Sequence, residues 1–279
     1  MPDAAIELLR IHSGNAHQSE PMSDWIHGLP VALMALLVFA ATYGAAALIN
    51  TIVLTLARGD RAREFKGVSA GLLSPLGVIF GLMVAFMAAQ IWGDLDRANA
   101  AVNREASALR AVVLLSPSFP GTPGERLRAL VRQQIIDAET VEWPAMARKE
   151  ASLTMIPKPL AQALQTTMTL DPQGPGQMAA QREIVTALET ALDARRQRIL
   201  TSRAEVNWVK WMTLMIQAIC TLLTIAMVHS DNRGSARIAL GLFSTAIAVC
   251  ILLLLSHDRP FTGQLSVKPE VLVQVEPEP

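Results

Sequence analysis

Residues Gly67–Leu115 read GVSAGLLSPLGVIFGLMVAFMAAQIWGDLDRANAAVNREASALRAVVLL, and the change of character after Gly93 decides the fold. Gly67–Gly93 holds no Asp, Glu, Lys or Arg. From Asp94 charges return, yet neither Gly nor Pro appears before Leu115. At about 1.5 Å per residue the first half is long enough to cross a hydrocarbon core of about 30 Å. In the second half Leu95, Ala98, Val102, Leu109 and Val112 recur at three- and four-residue spacing, the apolar face of a helix. The reading is one long helix that crosses a membrane and continues beyond it.

Working outward, Trp25–Ala57, Trp211–Ser230 and Ile238–His257 are equally free of charge. The 24 basic and 24 acidic residues of the 279 crowd into what remains, which explains 17% charged residues beside 51% apolar ones. Four transmembrane helices are predicted, at Val31–Ala57, Ser69–Trp92, Asn207–Val228 and Arg237–Ser256. This balance excludes a soluble enzyme as the whole answer, along with collagenous, disordered and disulfide-scaffold classes. Cys220 and Cys250 lie inside apolar runs and read as small buried side chains. Zero net charge implies no nucleic-acid partner. Only Arg10 is basic before the first apolar run, and that run is too long for a signal-peptide core, so the first span is expected to be retained.

The fold class expected is an all-α membrane protein with a helical extramembrane domain inserted between the second and third spans. Its parts are an N-terminal segment (1–30), the first two spans (31–92), the helical domain (93–206), the last two spans (207–256) and a C-terminal tail (257–279). Short loops holding Arg58, Arg61, Arg63 and Lys66, and Arg233 and Arg237, belong on the cytoplasmic side by the positive-inside rule. Both termini and 93–206 then lie on the outer, periplasmic side of a bacterial inner membrane. Within the domain one helix is expected from Glu125, with Leu127, Leu130, Val131, Ile135, Ala138 and Val141 on one face, bent or ended before Pro144. The stretch with Pro157, Pro159, Pro172 and Gly174 reads as loose. A last helix, about 177–203, leads directly into the third span, and the tail alternation Val271–Val275 is too short to matter.

Catalytic patterns are absent: no HExxH, GxSxG, Walker loop, GxGxxG or CxxC occurs, and the five histidines have no metal-ligand spacing. No enzyme, metal or cofactor is expected. Glu139 and Glu142 read as a solvated pair. Gly77, Gly81, Ala85 and Ala89 form a stripe of small residues, suited either to packing within one protomer or to facing a pore or a neighbouring subunit. Asp94 and Asp96 stand at the outer mouth, where an oligomer would turn them into carboxylate rings. Glu105 and Arg195 occupy apolar seams equally far from Trp92 and Trp208, which predicts a buried stalk ion pair, with Arg196 as the alternative partner. Polar Asn50, Gln217 and Thr221 should face protein or water.

Four phrases, GLMVAFMAAQIWGDLDRANAAVNREASAL (Gly81–Leu109), EWPAMARKEAS (Glu142–Ser152), DARRQRILTSR (Asp193–Arg203) and HDRPFTGQLSVKPE (His257–Glu270), resemble the bestrophin-like family of bacterial four-span membrane proteins, a domain-of-unknown-function family. Asp94, Arg104, Glu105, Trp143, Pro144, Arg195, Arg196 and the membrane-exit motif Asp258, Arg259, Pro260, Phe261 fall within those phrases. The resemblance implies a distant relation to bestrophins, which are oligomeric anion channels. The expectation is therefore a multi-pass homo-oligomer whose partners are the lipid bilayer and an ion. The alternative is a non-conducting sensor or scaffold whose external helices bind a partner.

Overall fold

A short turn, α1 (Asp24–His27), leads into α2 (Val31–Leu56), the first of four helices long and apolar enough to cross a membrane. The second, α3 (Leu73–Leu115), runs 43 residues without a break. The others are α8 (Trp208–Val228) and α9 (Arg233–His257). Between α3 and α8 lie α4 (Thr122–Asp137), α5 (Trp143–Ala147), α6 (Lys158–Met168) and α7 (Pro175–Thr201). A last turn, α10 (Glu270–Val273), sits in the tail. The computed structural model describes residues 24–57, 65, 67, 71–154 and 156–277, and no strand occurs among them. Arg10, His12 and His17, and Arg58, Arg61, Arg63 and Lys66 of the first loop, lie outside the described residues.

Two apolar cores share α3. The lower one joins its apolar half, through Phe80, Met87 and Ile91, to Val53 of α2, Leu214 and Leu222 of α8 and Ile247 of α9. Two polar side chains in this core are satisfied locally: Gln217 donates to the Leu76 carbonyl at 3.0 Å, and buried Thr221 donates to the Gln217 carbonyl at 2.8 Å. Tyr43 of α2 meets Thr245 of α9 at 2.7 Å. The upper core joins Val102, Leu109 and Val112 of α3 to Leu127 and Val131 of α4, Leu160 of α6 and Ile184 and Leu188 of α7. There α7 runs antiparallel to α3. Each fully buried leucine in the upper core contributes about 1.5–3 kcal/mol if water surrounds that core.

Several expectations need correcting. The stretch read as loose contains α6, because Pro159 occupies the first turn, where a missing N–H costs nothing. α7 does not run into α8: residues 202–207 are not helical, and Asn207 starts α8 afresh by accepting from the Val209 N–H at 2.9 Å. Arg233 and Arg237 lie within the first turns of α9 rather than in a loop. The tail packs on the upper core through Phe261, Val267 and Leu272, and Arg132 of α4 clasps the Pro277 carbonyl, at 3.1 Å from its Nε.

The link from α3 to α4 is drawn tight around Gly124. A Cβ there would lie 2.4 Å from the Phe119 carbonyl oxygen and 2.5 Å from that of Ser116, both backbone atoms with no room to yield. Gly124→Ala is expected to destabilise the protein by about 1–3 kcal/mol, as overpacking does. Gly176→Ala, whose Cβ would meet nothing within 4 Å, should melt like the native chain. Equal melting temperatures for the two variants would contradict this account.

Candidate functional site

The deepest polar group belongs to α7. Arg198 is 0% exposed, as is Glu105 of α3, and the guanidinium meets that carboxylate with two bonds, Nε–Oε2 at 2.7 Å and Nη2–Oε1 at 3.1 Å. Its Nη2 also reaches Glu142 Oε2 at 2.7 Å, and Arg195 Nε binds Glu142 Oε1 at 2.6 Å. Two guanidinium and two carboxylate groups thus close a neutral cluster. Trp143 covers it, its ring centroid 4.6 Å from the Arg198 guanidinium carbon, and Met146 Sδ accepts from Nη1 at 3.5 Å. The Trp143 indole N–H donates to the Val267 carbonyl at 3.0 Å and its ring meets Phe261 edge-on at 5.7 Å, so the tail lies over the lid.

This arrangement differs from the predicted pair. Glu105 pairs with Arg198, Arg195 serves Glu142, and Arg196 is exposed. Glu142 is buried rather than solvated, while Glu139 is exposed. The cause is local winding. Ala138–Glu142 forms a π-helical turn, whose i→i+5 bonding rotates less per residue and swings Val141 out of the seam, leaving it 50% exposed. Arg198 lies three residues beyond Arg195 on the same face of α7, toward α8, a position that the residue count from Trp208 passes over.

A second polar group gathers where four chain segments meet beside the ends of α8 and α9. Asp258 accepts from the Val206 N–H at 2.9 Å and lies 3.9 Å from His27 Nε2. Arg259 reaches Glu205 at 3.5 Å, and Lys149 pairs with the same carboxylate. The tail then turns at Gly263, whose φ of +89° and whose bare Cα, set against the His27 carbonyl, both require glycine. Asp258, Arg259, Pro260 and Phe261 are all buried here. Burial pushes the Asp258 carboxyl up to about 6, Glu205 adding to the push while the Val206 N–H opposes it. Burial also lowers His27 to about 4, with the Arg259 and Lys149 cations adding to the effect. Near neutral pH their contact is therefore polar rather than an ion pair.

The small stripe occupies the outward side of α3. Gly81, Ala85 and Ala89 are exposed, and a Cβ built on Gly77 or Gly81 would meet nothing within 4 Å. Above it the same side carries exposed Asp96, Asn103, Ser107 and Arg110. The two mouth carboxylates separate: Asp96 faces out, whereas Asp94 is 7% exposed and paired with Arg97 one turn on. No group of three or more potential metal ligands exists among the described residues.

Compared with known proteins, residues 40–272 match the family described as Bestrophin-like domain. No curated protein and no solved structure matches the chain.

Removing one partner of a buried charge pair costs about 3–5 kcal/mol. Glu105→Ala and Arg198→Ala should each cost that much in thermal unfolding followed by fluorescence, and the double variant less than their sum. Arg196→Ala should cost less than about 0.5 kcal/mol; additive losses at 105 and 198 would refute the pairing. The second cluster makes a prediction in pH. Asp258 holds its proton above its ordinary 3.8, so its contribution is full below that value and is lost as pH rises through about 6. His27 stays neutral below its ordinary 6.5, so its contribution is full above that value and is lost as pH falls toward about 4. The two slopes oppose each other in the native chain. Asp258→Asn should therefore lose stability on acidification across that window, and His27→Gln should gain it; parallel melting curves would contradict both assignments.

Proposed function

The chain belongs to the bestrophin-like family, and from that premise we propose that this membrane protein is a homo-oligomeric ion channel rather than an enzyme. The observation that carries the reading is the outward edge of α3. The longest helix presents Gly81, Ala85 and Ala89 to the surroundings, with no side chain of its own chain covering them. A lone protomer in lipid gains nothing from so shallow an edge, whereas a neighbouring helix can approach it closely. In a ring of copies, α3 then lines or borders the path. The polar side above, with Asn103, Ser107 and Arg110, forms the wall of an outer vestibule.

The conducted ion is an anion in this reading. The mouth carboxylates argue against it in the sequence, but Asp94 is neutralised by Arg97, leaving Asp96 as the outward carboxylate of the pair. The helices of 93–206 form a domain inserted between the second and third spans. That domain and both termini stand on the periplasmic side of a bacterial inner membrane in this reading, because Arg58, Arg61, Arg63 and Lys66 lie between the first two spans and Arg233 and Arg237 in the first turns of α9. A second reading, a scaffold that conducts nothing, draws on the far end of the domain, where Leu114, Met168 and Met178 are exposed.

Gly81→Leu tests the assembly. Open space at Gly81 means the variant should fold, with an unchanged melting temperature for its monomer. Its oligomer should be lost on size-exclusion light scattering, together with anion flux into liposomes. If the variant assembles and conducts like the native chain, α3 is not at the interface. A native protein that is monomeric and passes no ion leaves the scaffold reading.

A further inference from the structure

The segment after α5 carries apolar side chains that the upper core does not use. Ile156 is 71% exposed and Leu153 41% exposed, although each lies a few residues from a chain held firmly in place. Three ties fix that chain. The Thr262 hydroxyl donates to the Ala147 carbonyl at 2.9 Å, Lys149 pairs with Glu205, and the Arg203 guanidinium donates to the Ala151 carbonyl at 2.6 Å. Lys149 takes the left-handed backbone conformation, φ +59°, that turns the chain off the end of α5.

The partners in those ties set the height of the segment. Arg203 and Glu205 immediately precede Trp208, the first residue of the α8 span, and Thr262 follows shortly after His257, the last of the α9 span. Trp208 is 72% exposed, Trp92 48% and Trp25 52%, and the pairing of Lys210 with Gln90 brings the α8 and α3 tryptophans to one level. Exposed tryptophans at one level, where apolar spans give way to charged helices, mark the headgroup boundary of a bilayer.

We propose that the segment's exposed Leu153 and Ile156 seat in that boundary, a monotopic anchor that rests the helical domain on the surface of the membrane. The occupant of this apolar face is lipid, because the segment is tied to Arg203 and Glu205, a few residues before the exposed Trp208 of the belt. Some of the segment's polar groups are already paired: Ser152 Oγ accepts from the Thr154 N–H at 3.2 Å and meets Thr154 Oγ1 at 2.8 Å. That pairing lowers the cost of leaving water. Exposed Lys158 flanks the segment on one side, a cation suited to anionic headgroups, and Arg148 on the other is paired with Glu150 at 2.7 Å. The proposal rests on the membrane placement of the four spans and not on conduction.

The test uses the full chain with Cys220→Ala and Cys250→Ala, in nanodiscs of phosphatidylethanolamine and phosphatidylglycerol. Single nitroxide labels are placed through Leu153→Cys, Ile156→Cys, Met168→Cys at the far end of the domain, and Ile216→Cys in the α8 span. Collision with oxygen should exceed collision with a water-soluble nickel chelate at 153 and 156, as at 216, and the order should reverse at 168. If 153 and 156 behave like 168, the segment lies in water and the proposal is overturned. If both reagents are excluded there, the segment is buried against protein, which overturns it equally. A label at 216 that collides mainly with nickel would instead remove the membrane placement itself, and the anchor with it.

Discussion

A guanidinium with no access to water must keep its carboxylates, and Arg198 takes its two from different parts of the chain. Glu105 comes from α3 and Glu142 from the π turn before α5. Separating either element from α7 would strand a charge in an apolar interior, at a cost of several kcal/mol. The apolar seam between α3 and α7 could slide by a turn with little penalty, since alanine and leucine side chains accept many registers. The charge cluster cannot. It fixes the register of the longest helix in the protein, and Trp143 then ties the tail to the same point.

The lower polar group does for the ends of the spans what the upper one does for the stalk. Asp258 and Arg259 follow α9, Val206 and Glu205 precede α8, His27 precedes α2 and Lys149 follows α5. Four distant stretches of sequence are therefore closed against one another just where apolar helix gives way to charged helix. The tail is part of this closure, as Gln264 accepts from the Val31 N–H at 3.1 Å and so supplies a partner for the first turn of α2.

The spans were legible because a bilayer tolerates so few charges that their absence is a signal in itself, and α3 because nothing between Asp94 and Leu115 could stop it. Glu105 was legible as a charge inside an apolar seam. Its partner was not, since counting residues from Trp208 assumes helix all the way. The helix instead stops at Thr201, the chain turns at Ser202 and Arg203 and runs without helix to Asn207, and Arg198 rather than Arg195 meets Glu105. Glu142 was lost to a π turn that leaves no mark in composition. α6 was lost to a proline that breaks helices in their middle and begins them at their start. The direction in which Asp94 points depends on Arg97, a neighbour whose preference for it over solvent no spacing rule specifies.

The uninterrupted run of α3 and the break between α7 and α8 divide the mechanics of the molecule unequally. A continuous helix resists compression and torsion along its axis, so a displacement at the Leu115 end would arrive at Leu73 as a displacement. The non-helical residues 202–207 offer no such stiffness, and polar ties to Asp258, Ala151 and Lys149 help to hold them. The continuous α3 and the non-helical stretch before α8 thus behave as a push rod and a tethered joint. A load on the far end of the helical domain would travel down one strut, and the protonation and pairing at the joint would decide how much of it the other absorbs.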